Sequence, residues 1–169
     1  MKKRYYFAYG SNCNLGQMAH RCPDATLVGR VTLQNYRLTF NGRGMMRSGG
    51  VASVRRHNGR YVPGLLWEIT PECERSLDRY EGYPHLYGKK NVTVHTEDGG
   101  TVKAMVYVMT DRYQDPAIPS SGYLQGIVEG FQENGLNVVS VLDALAETKK
   151  QIMEAGGKER WERWADQRN

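Results

Sequence analysis

The sequence of 169 residues has few cysteines and no long apolar stretch, and each shortage excludes a class of protein. Its three cysteines are odd in number and include no CxxC pair, which argues against a disulfide framework and a zinc ribbon. No run of about eighteen apolar residues occurs, so no segment is predicted to cross a membrane. Residues 1–10 are basic and then apolar, but too short for a signal-peptide core. We therefore expect a mature cytoplasmic protein.

Metal ligands and repeated segments are also scarce. His20 and Cys22 lie two residues apart but have no second pair of ligands, so a tetrahedral metal site is not predicted. No internal repeat or low-complexity tract occurs, and the length fits one domain. We expect one domain over residues 1–155, followed by a C-terminal tail over residues 156–169.

Positive charge is concentrated in residues 1–60, which hold eleven Lys or Arg residues and one acid, Asp24. A basic segment can attract nucleic acid, surround a small anionic substrate, or form an ordinary solvated surface. Aromatic residues interleave with basic ones around residues 36–43, yet no RNA-binding or zinc-finger pattern accompanies them. Nucleic acid is therefore not the expected partner.

The order of the predicted elements is strands first and helices last, with one helix between them. Strands are expected at residues 4–9, 26–40 (one bent strand or two short ones), 51–55, 61–69, 92–96 and 101–109. Hairpin turns are expected at residues 58–59 and 98–100, and a glycine-rich loop at residues 41–50. Helices are expected at residues 15–22, after Thr70, from Ser120 or Ser121 to Glu133, at residues 138–153 and, as a short piece, in the tail. This order indicates an α+β fold, a small mixed, curved β-sheet or barrel flanked by helices.

The helix that begins at Pro71 carries the candidate catalytic residue. Cys73 and Leu77 lie four residues apart on one face, and Glu81 is the next member of that row, with Tyr80 broadening the apolar stripe. Glu81 therefore points along the buried side, at the C-terminal end where the helix dipole disfavours negative charge. Both effects raise the pKa of the carboxyl group toward neutrality, as a general acid/base requires. Periodicity alone also allows an exposed side chain paired with Lys or Arg.

The turn at residues 9–12, YGSN, is the second candidate feature. Gly10 lets the backbone approach a ligand closely, and N–H groups near the start of a helix can bind a carboxylate or an oxyanion. Glycine-bearing turns are common, however, and many only redirect the chain. The turn alone does not establish a site.

Four segments form an ordered set of motifs along the chain. They are residues 6–12 (YFAYGSN), residues 49–53 (GGVAS), residues 77–82 (LDRYEG) followed by Tyr87, and residues 119–123 (PSSGY) followed by Gly130 and residues 135–136. This set resembles the YGSN, GGxA, LDxxEG…Y and PSxxY…G…GL motifs of the γ-glutamylcyclotransferases and their AIG2-like relatives. The resemblance extends from residue 6 to residue 136 and leaves the tail outside it.

The resemblance implies a γ-glutamylcyclotransferase-like fold and a cofactor-free enzyme that acts on a small γ-glutamyl substrate. Enzymes of this family release 5-oxoproline from a γ-glutamyl amide by attack of the substrate's own α-amine. Glu81 is implied as the catalytic acid/base. The implied substrate-binding residues are Tyr9, Gly10, Ser11, Asn12, Tyr87 and Tyr123. The backbone of the turn would bind the oxyanion or the α-carboxylate, and Tyr87 and Tyr123 would hydrogen-bond the substrate or the glutamate, with plain core packing as the alternative.

Other functions stay open on the sequence alone. The same site would serve an enzyme that processes γ-glutamyl amines or natural-product conjugates. A non-catalytic binding module that keeps the pocket is a further alternative, as is use of the basic half on nucleic acid. In the tail, Trp161 and Trp164 can pack on the domain or on a second subunit, so a homodimer is left open.

Overall fold

The computed structural model describes residues 3–42 and 49–166, apart from the side chains of residues 160–165. Most of the predicted glycine-rich loop and the packing of Trp161 and Trp164 therefore lie outside the described residues.

Within these residues, five strands form a closed barrel. The strands are β1 (Arg4–Ala8), β2 (Thr26–Asn41), β3 (Val51–Ile69), β4 (Tyr87–Thr96) and β5 (Thr101–Met109). Their order around the barrel is β1-β3-β2-β4-β5, and each neighbouring pair in that order is antiparallel. β5 pairs with β1 in parallel, with Tyr6 opposite Met105, and this pairing closes the barrel. The α+β prediction is confirmed, in its barrel form.

Strand β1 is buried where it leads into the predicted site. Tyr6, Phe7 and Ala8 are all buried, as expected for a short strand with neighbours on both of its faces. Strand β1 therefore brings the turn at residues 9–12 into the interior, not to an exposed edge.

The predicted hairpin at residues 58–59 is wrong. Residues 51–56 and 61–68 both pair antiparallel with β2, so they run in the same direction as parts of one strand. Between them, residues 57–60 bulge outward opposite Asn35, whose φ is 61°. Gly59 has φ 86°, and its N–H donates to Asn35 Oδ1 at 3.1 Å. The Asn-Gly pair thus supplies the positive φ of a bulge, which is locally similar to that of a turn.

Four helices lie outside the barrel within the described part of the chain. They are α1 (Leu15–Arg21), α2 (Pro71–Glu81), α3 (Ser121–Glu133) and α4 (Val139–Asp166). Helix α2 begins as predicted, since Thr70 accepts a hydrogen bond from the N–H of Cys73, and it ends at Gly82 with φ 64°. Ser120 caps α3 through the N–H of Tyr123. These local signals fix where the helices of the site begin and end.

Helix α4 does not end near residue 153 as predicted but continues through Gly156 and Gly157 to Asp166. Each glycine costs about 1 kcal/mol relative to alanine, and the Lys, Gln, Glu, Ala and Arg residues on either side favour a helix strongly enough to compensate. The domain boundary after residue 155 stays a prediction. No helix in the described ranges is long and apolar enough to span a membrane.

Much of the positive charge in the first part of the chain is neutralised by acids from later elements. The ion pairs are Lys3 with Glu68, Arg4 with Glu74, Arg30 with Glu97, and both Arg37 and Arg60 with Glu147. Among the described residues of the basic half, five of the Lys and Arg side chains are therefore paired with acids.

Candidate active site

The residues that the motifs single out line one cavity of about 210 Å³, between the turn after β1 and the end of α2. They are Tyr9, Gly10, Ser11, Asn12, Glu81, Tyr87 and Tyr123. These residues come from four separate parts of the chain, residues 9–12, Glu81, Tyr87 and Tyr123, which the fold brings together. Some of their polar groups are hydrogen-bonded to the protein, and others are available to a ligand.

The turn forms a short 3₁₀ helix at Ser11–Cys13, in which the N–H of Cys13 donates to the carbonyl of Gly10 at 3.0 Å. A Cβ atom on Gly10 would lie 3.2 Å from the Cβ of Ala52, so glycine allows the turn to approach β3 closely. The first N–H groups of a helical turn have no partner within it. Among the described residues, no protein acceptor was found for the N–H groups of Ser11 and Asn12. These groups can therefore donate to a ligand.

Both polar atoms of the Asn12 side chain form hydrogen bonds with the protein. Its Oδ1 accepts a hydrogen bond from Arg21 Nη1 at 2.6 Å, and its Nδ2 donates to the hydroxyl of Tyr6 at 3.0 Å. The backbone carbonyl of Asn12 accepts a hydrogen bond from the indole N–H of Trp67 at 3.2 Å. These contacts fix the turn and leave the backbone N–H of Asn12 available to a ligand.

Helix α2 places Glu81 on the cavity wall. Cys73 and Leu77 are buried along the same face, and Glu81 is half-buried at its end. Removal from water raises the pKa of the Glu81 carboxyl to about 7, and the positive charge of Arg21 opposes this rise. Within the described ranges, no group donates a hydrogen bond to this carboxyl, which leaves it available to a ligand. The predicted direction of the shift is confirmed.

Tyr80 does not belong to the buried stripe, contrary to the prediction. Its side chain is 46% exposed, and its ring lies 3.6 Å from the guanidinium carbon of Arg21. The apolar stripe of α2 is narrower than predicted because the Tyr80 ring packs against the guanidinium group of Arg21 at the surface.

The tyrosine hydroxyls make different hydrogen bonds. Tyr9 donates to the carbonyl of Tyr107 at 2.6 Å, and Tyr87 donates to the carbonyl of Ala52 at 2.5 Å. Tyr123 instead accepts from the N–H of Ala52 at 2.9 Å. Because a hydroxyl has one proton, those of Tyr9 and Tyr87 are committed to the protein, whereas that of Tyr123 can be donated into the cavity.

Sequence reasoning missed six other residues that line the cavity: Tyr6, Val51, Ala52, Tyr80, Leu86 and Tyr107. Some of these lie within the quoted motifs and could have been chosen on that basis. Tyr107 had no local signal, because only the pairing of β5 with β1 brings it to the site. Its hydroxyl donates to Asp78 Oδ1 at 2.5 Å, and Asp78 also pairs with Lys89 Nζ at 2.8 Å.

The site can transfer protons near neutral pH. It combines a carboxyl group with a pKa of about 7, the turn N–H groups that have no acceptor among the described residues, and the hydroxyl proton of Tyr123. Among residues 3–42 and 49–166, no group of three His, Cys, Asp or Glu side chains is placed to hold a metal ion.

The free energy of unfolding should depend on pH because Glu81 is half-buried in this cavity. Its pKa rises from an ordinary value of 4.5 to about 7 on folding, so between these values the folded state binds more protons than the unfolded state. Stability therefore falls as the pH rises through this range. Glu81→Gln cannot ionise, and we expect its Tm, relative to that of the wild type, to increase from pH 5 to pH 8 in calorimetry.

The control for this experiment is Glu72→Gln on the same helix, where the side chain is 75% exposed. Its Tm relative to the wild type should not vary with pH in this way. A Tm difference for Glu81→Gln that is constant between pH 5 and pH 8 would show that the carboxyl has an ordinary pKa.

Sequence and structure comparisons relate this chain to known proteins. The sequence model of a family described as "Gamma-glutamyl cyclotransferase, AIG2-like" matches residues 6–125, a segment that contains all the predicted site residues. A curated γ-glutamylcyclotransferase from Bos taurus is 35% identical over 136 residues, covering 78% of this chain and 71% of the relative. One from Homo sapiens is 34% identical with the same coverage. A solved structure named γ-glutamyl cyclotransferase has a TM-score of 0.75 at 31% identity, covering 88% of this chain and 87% of that one.

Proposed function

Because this chain belongs to the γ-glutamyl cyclotransferase, AIG2-like family, we propose that it releases 5-oxoproline from a γ-glutamyl amide. The named relatives indicate an enzyme of the cyclotransferase type. The main support from the site is Glu81, a carboxyl group with a pKa of about 7 on the wall of the cavity that also contains the turn. Such a group can both accept and donate a proton near pH 7.

Glu81 serves both proton transfers of the reaction. The ionised carboxylate takes a proton from the substrate's α-amine as the amine nitrogen attacks the γ-carbonyl carbon. The new C–N bond closes the five-membered ring, the amide C–N bond breaks, and the leaving amine receives the proton from Glu81. Because the attack is intramolecular, a substrate held in its folded conformation gains much of the acceleration from proximity.

The turn after β1 stabilises the negative charge of the substrate. The N–H groups of Ser11 and Asn12 donate to the oxyanion of the tetrahedral intermediate or to the α-carboxylate of the substrate. The hydrogen bonds of the Asn12 side chain and of its backbone carbonyl hold these donors in place before the substrate binds. A donor array that does not have to reorganise is an effective way to stabilise a developing charge.

Product analysis tests the proposal. The purified protein is incubated with a panel of γ-glutamyl amino acids and γ-glutamyl amines, and 5-oxoproline and the free amine are quantified by mass spectrometry. We expect equimolar 5-oxoproline and amine from at least one of the two substrate groups, and the preferred group identifies the leaving amine. No 5-oxoproline from any member of the panel would contradict the proposal.

Tyr123 and Tyr87 both form hydrogen bonds with the backbone of Ala52, but their substitution should affect activity differently. Tyr123→Phe removes the hydroxyl proton that is free for the substrate, and we expect kcat/KM to fall about tenfold. Tyr87→Phe removes a bond to the Ala52 carbonyl, and we expect a smaller loss of kcat/KM with a clear fall in Tm. Steady-state kinetics and thermal melts of both variants measure the difference. Equal kcat/KM for Tyr123→Phe and the wild type would exclude a substrate contact.

A further inference from the structure

Arg21, the last residue of α1, lies outside every motif of the sequence but joins several parts of the site. Its Nη1 donates to Ser11 Oγ at 3.0 Å and to Asn12 Oδ1 at 2.6 Å. Its Nη2 donates to Gln17 Oε1 at 3.0 Å and to the hydroxyl of Tyr80 at 2.7 Å. One guanidinium group therefore connects the turn after β1 with the last turn of α2.

These contacts continue around the cavity and return to α2. Asn12 Nδ2 donates to the hydroxyl of Tyr6, whose ring packs edge-on against Tyr107 with 5.8 Å between the ring centroids. The hydroxyl of Tyr107 donates to Asp78 Oδ1. The last turn of α2, which carries Glu81, is thus held at Tyr80 by Arg21 and at Asp78 by Tyr107.

Arg21 also provides positive charge near the carboxyl group of Glu81. The ionisable groups that face Glu81 from the surrounding elements are Arg21 from α1, Tyr6 and Tyr9 from β1, Tyr87 from β4, Tyr107 from β5 and Tyr123 from α3. Burial raises the pKa of each of these tyrosines, so they stay neutral near pH 7. The charge of Arg21 therefore acts on Glu81 without competition from them.

We propose that Arg21 is a positioning residue. It holds the turn after β1 against the end of α2, so that the N–H donors of the turn and the carboxyl group of Glu81 act on the same substrate molecule. This inference rests on the proposed function. Arg21 acts through Ser11, Asn12 and Tyr80, and its charge favours the ionised carboxylate that accepts the proton of the α-amine.

Substitutions at Arg21 separate its charge from its geometry. Arg21→Met removes both. Arg21→Lys keeps the charge but loses the planar guanidinium group, which donates to the turn and to Tyr80 at the same time. The matched control is Arg75→Met on α2, where the arginine side chain is 63% exposed and its ion pair with Glu72 is long, at 3.9 Å. Each variant is measured by NMR titration of the ¹³C-labelled Glu81 carboxyl, assigned with Glu81→Gln, and by steady-state kinetics with a γ-glutamyl substrate.

For Arg21→Met we expect the pKa of Glu81 to rise by about one unit and kcat/KM at pH 7 to fall at least tenfold. For Arg21→Lys we expect the pKa of Glu81 to stay near the wild-type value, with kcat/KM still reduced. Arg75→Met should match the wild type in both measurements. A purely structural role for Arg21 would lower Tm without moving the pKa of Glu81.

The inference is overturned if folded Arg21→Met keeps the wild-type pKa of Glu81 or the wild-type kcat/KM. If Arg21→Met does not fold, Arg21→Lys decides, because a full wild-type kcat/KM in that variant would show that the contacts of the guanidinium are not needed. If the wild type forms no 5-oxoproline, the proposed function fails, and the titration still reports on Arg21: an unchanged pKa in its variants overturns the electrostatic effect as well.

Discussion

Replacing Glu81 by glutamine is expected to lower kcat by about 10²- to 10⁴-fold, the usual contribution of a general acid/base. Glutamine has nearly the same size as glutamate but cannot accept the proton of the attacking amine. The carboxyl group lines the cavity and makes no hydrogen bond to the described protein groups, so its replacement breaks no contact that the fold needs. The loss should therefore appear in kcat, with the fold intact by circular dichroism.

The control for this substitution is Glu72→Gln, at the exposed first turn of the same helix. It removes the same charge from α2 and should leave kcat within about twofold of the wild type, since exposed charges contribute little. If Glu81→Gln turned over substrate as fast as Glu72→Gln, another group would have to be the acid/base.

Replacing Gly130 by alanine is expected to destabilise the protein by about 1–3 kcal/mol, the usual cost of overpacking. A Cβ atom there would lie 2.6 Å from the nitrogen of Asn14 and 2.7 Å from the oxygen of Cys13. These are backbone atoms directly after the turn at residues 9–12, and the side chain of Asn134 also donates to the carbonyl of Cys13 at 3.0 Å. Because backbone cannot rotate away as a side chain can, α3 must move away from the turn.

The expected fall in Tm is about 2–4 °C for each kcal/mol in a chain of this size, and kcat/KM should fall with it because the turn shifts. The control is Gly122→Ala on the same helix, where a Cβ atom would meet nothing within 4 Å. Alanine favours a helix more than glycine does, so this variant should match or exceed the wild-type Tm. Equal Tm values for the two alanine variants would show that α3 does not pack closely against the turn.

Features that depend on neighbouring residues were predictable from the sequence. Thr70 and Gly82 mark the ends of α2 because capping and a left-handed backbone are properties of the residues themselves. The row from Cys73 to Glu81 follows from helical periodicity and predicted the half-buried carboxyl. The motif set added Tyr87 and Tyr123, which periodicity could not have chosen among eleven tyrosines.

Features that depend on contacts between distant segments were not predictable. Tyr107 reaches the site only through the closure of the barrel, and Arg21 only through the packing of α1 on the turn and on α2. The Asn-Gly pair at residues 58–59 predicts a hairpin equally well, because a hairpin turn and a bulge both need a positive φ. Only the pairing of both flanking segments with β2 shows that it is a bulge. Likewise, helical periodicity predicts Tyr80 in the buried stripe, because its contact with Arg21 has no sequence signal.

Product analysis in H₂¹⁸O tests most directly whether the α-amine of the substrate, deprotonated by Glu81, is the nucleophile. The wild type and Glu81→Gln are incubated in this solvent with the best γ-glutamyl substrate of the panel. We expect the wild type to give 5-oxoproline without ¹⁸O, since water takes no part, and Glu81→Gln to give almost none. Glutamate that carries ¹⁸O as the main product would show that water attacks the γ-carbonyl, and would contradict the intramolecular mechanism.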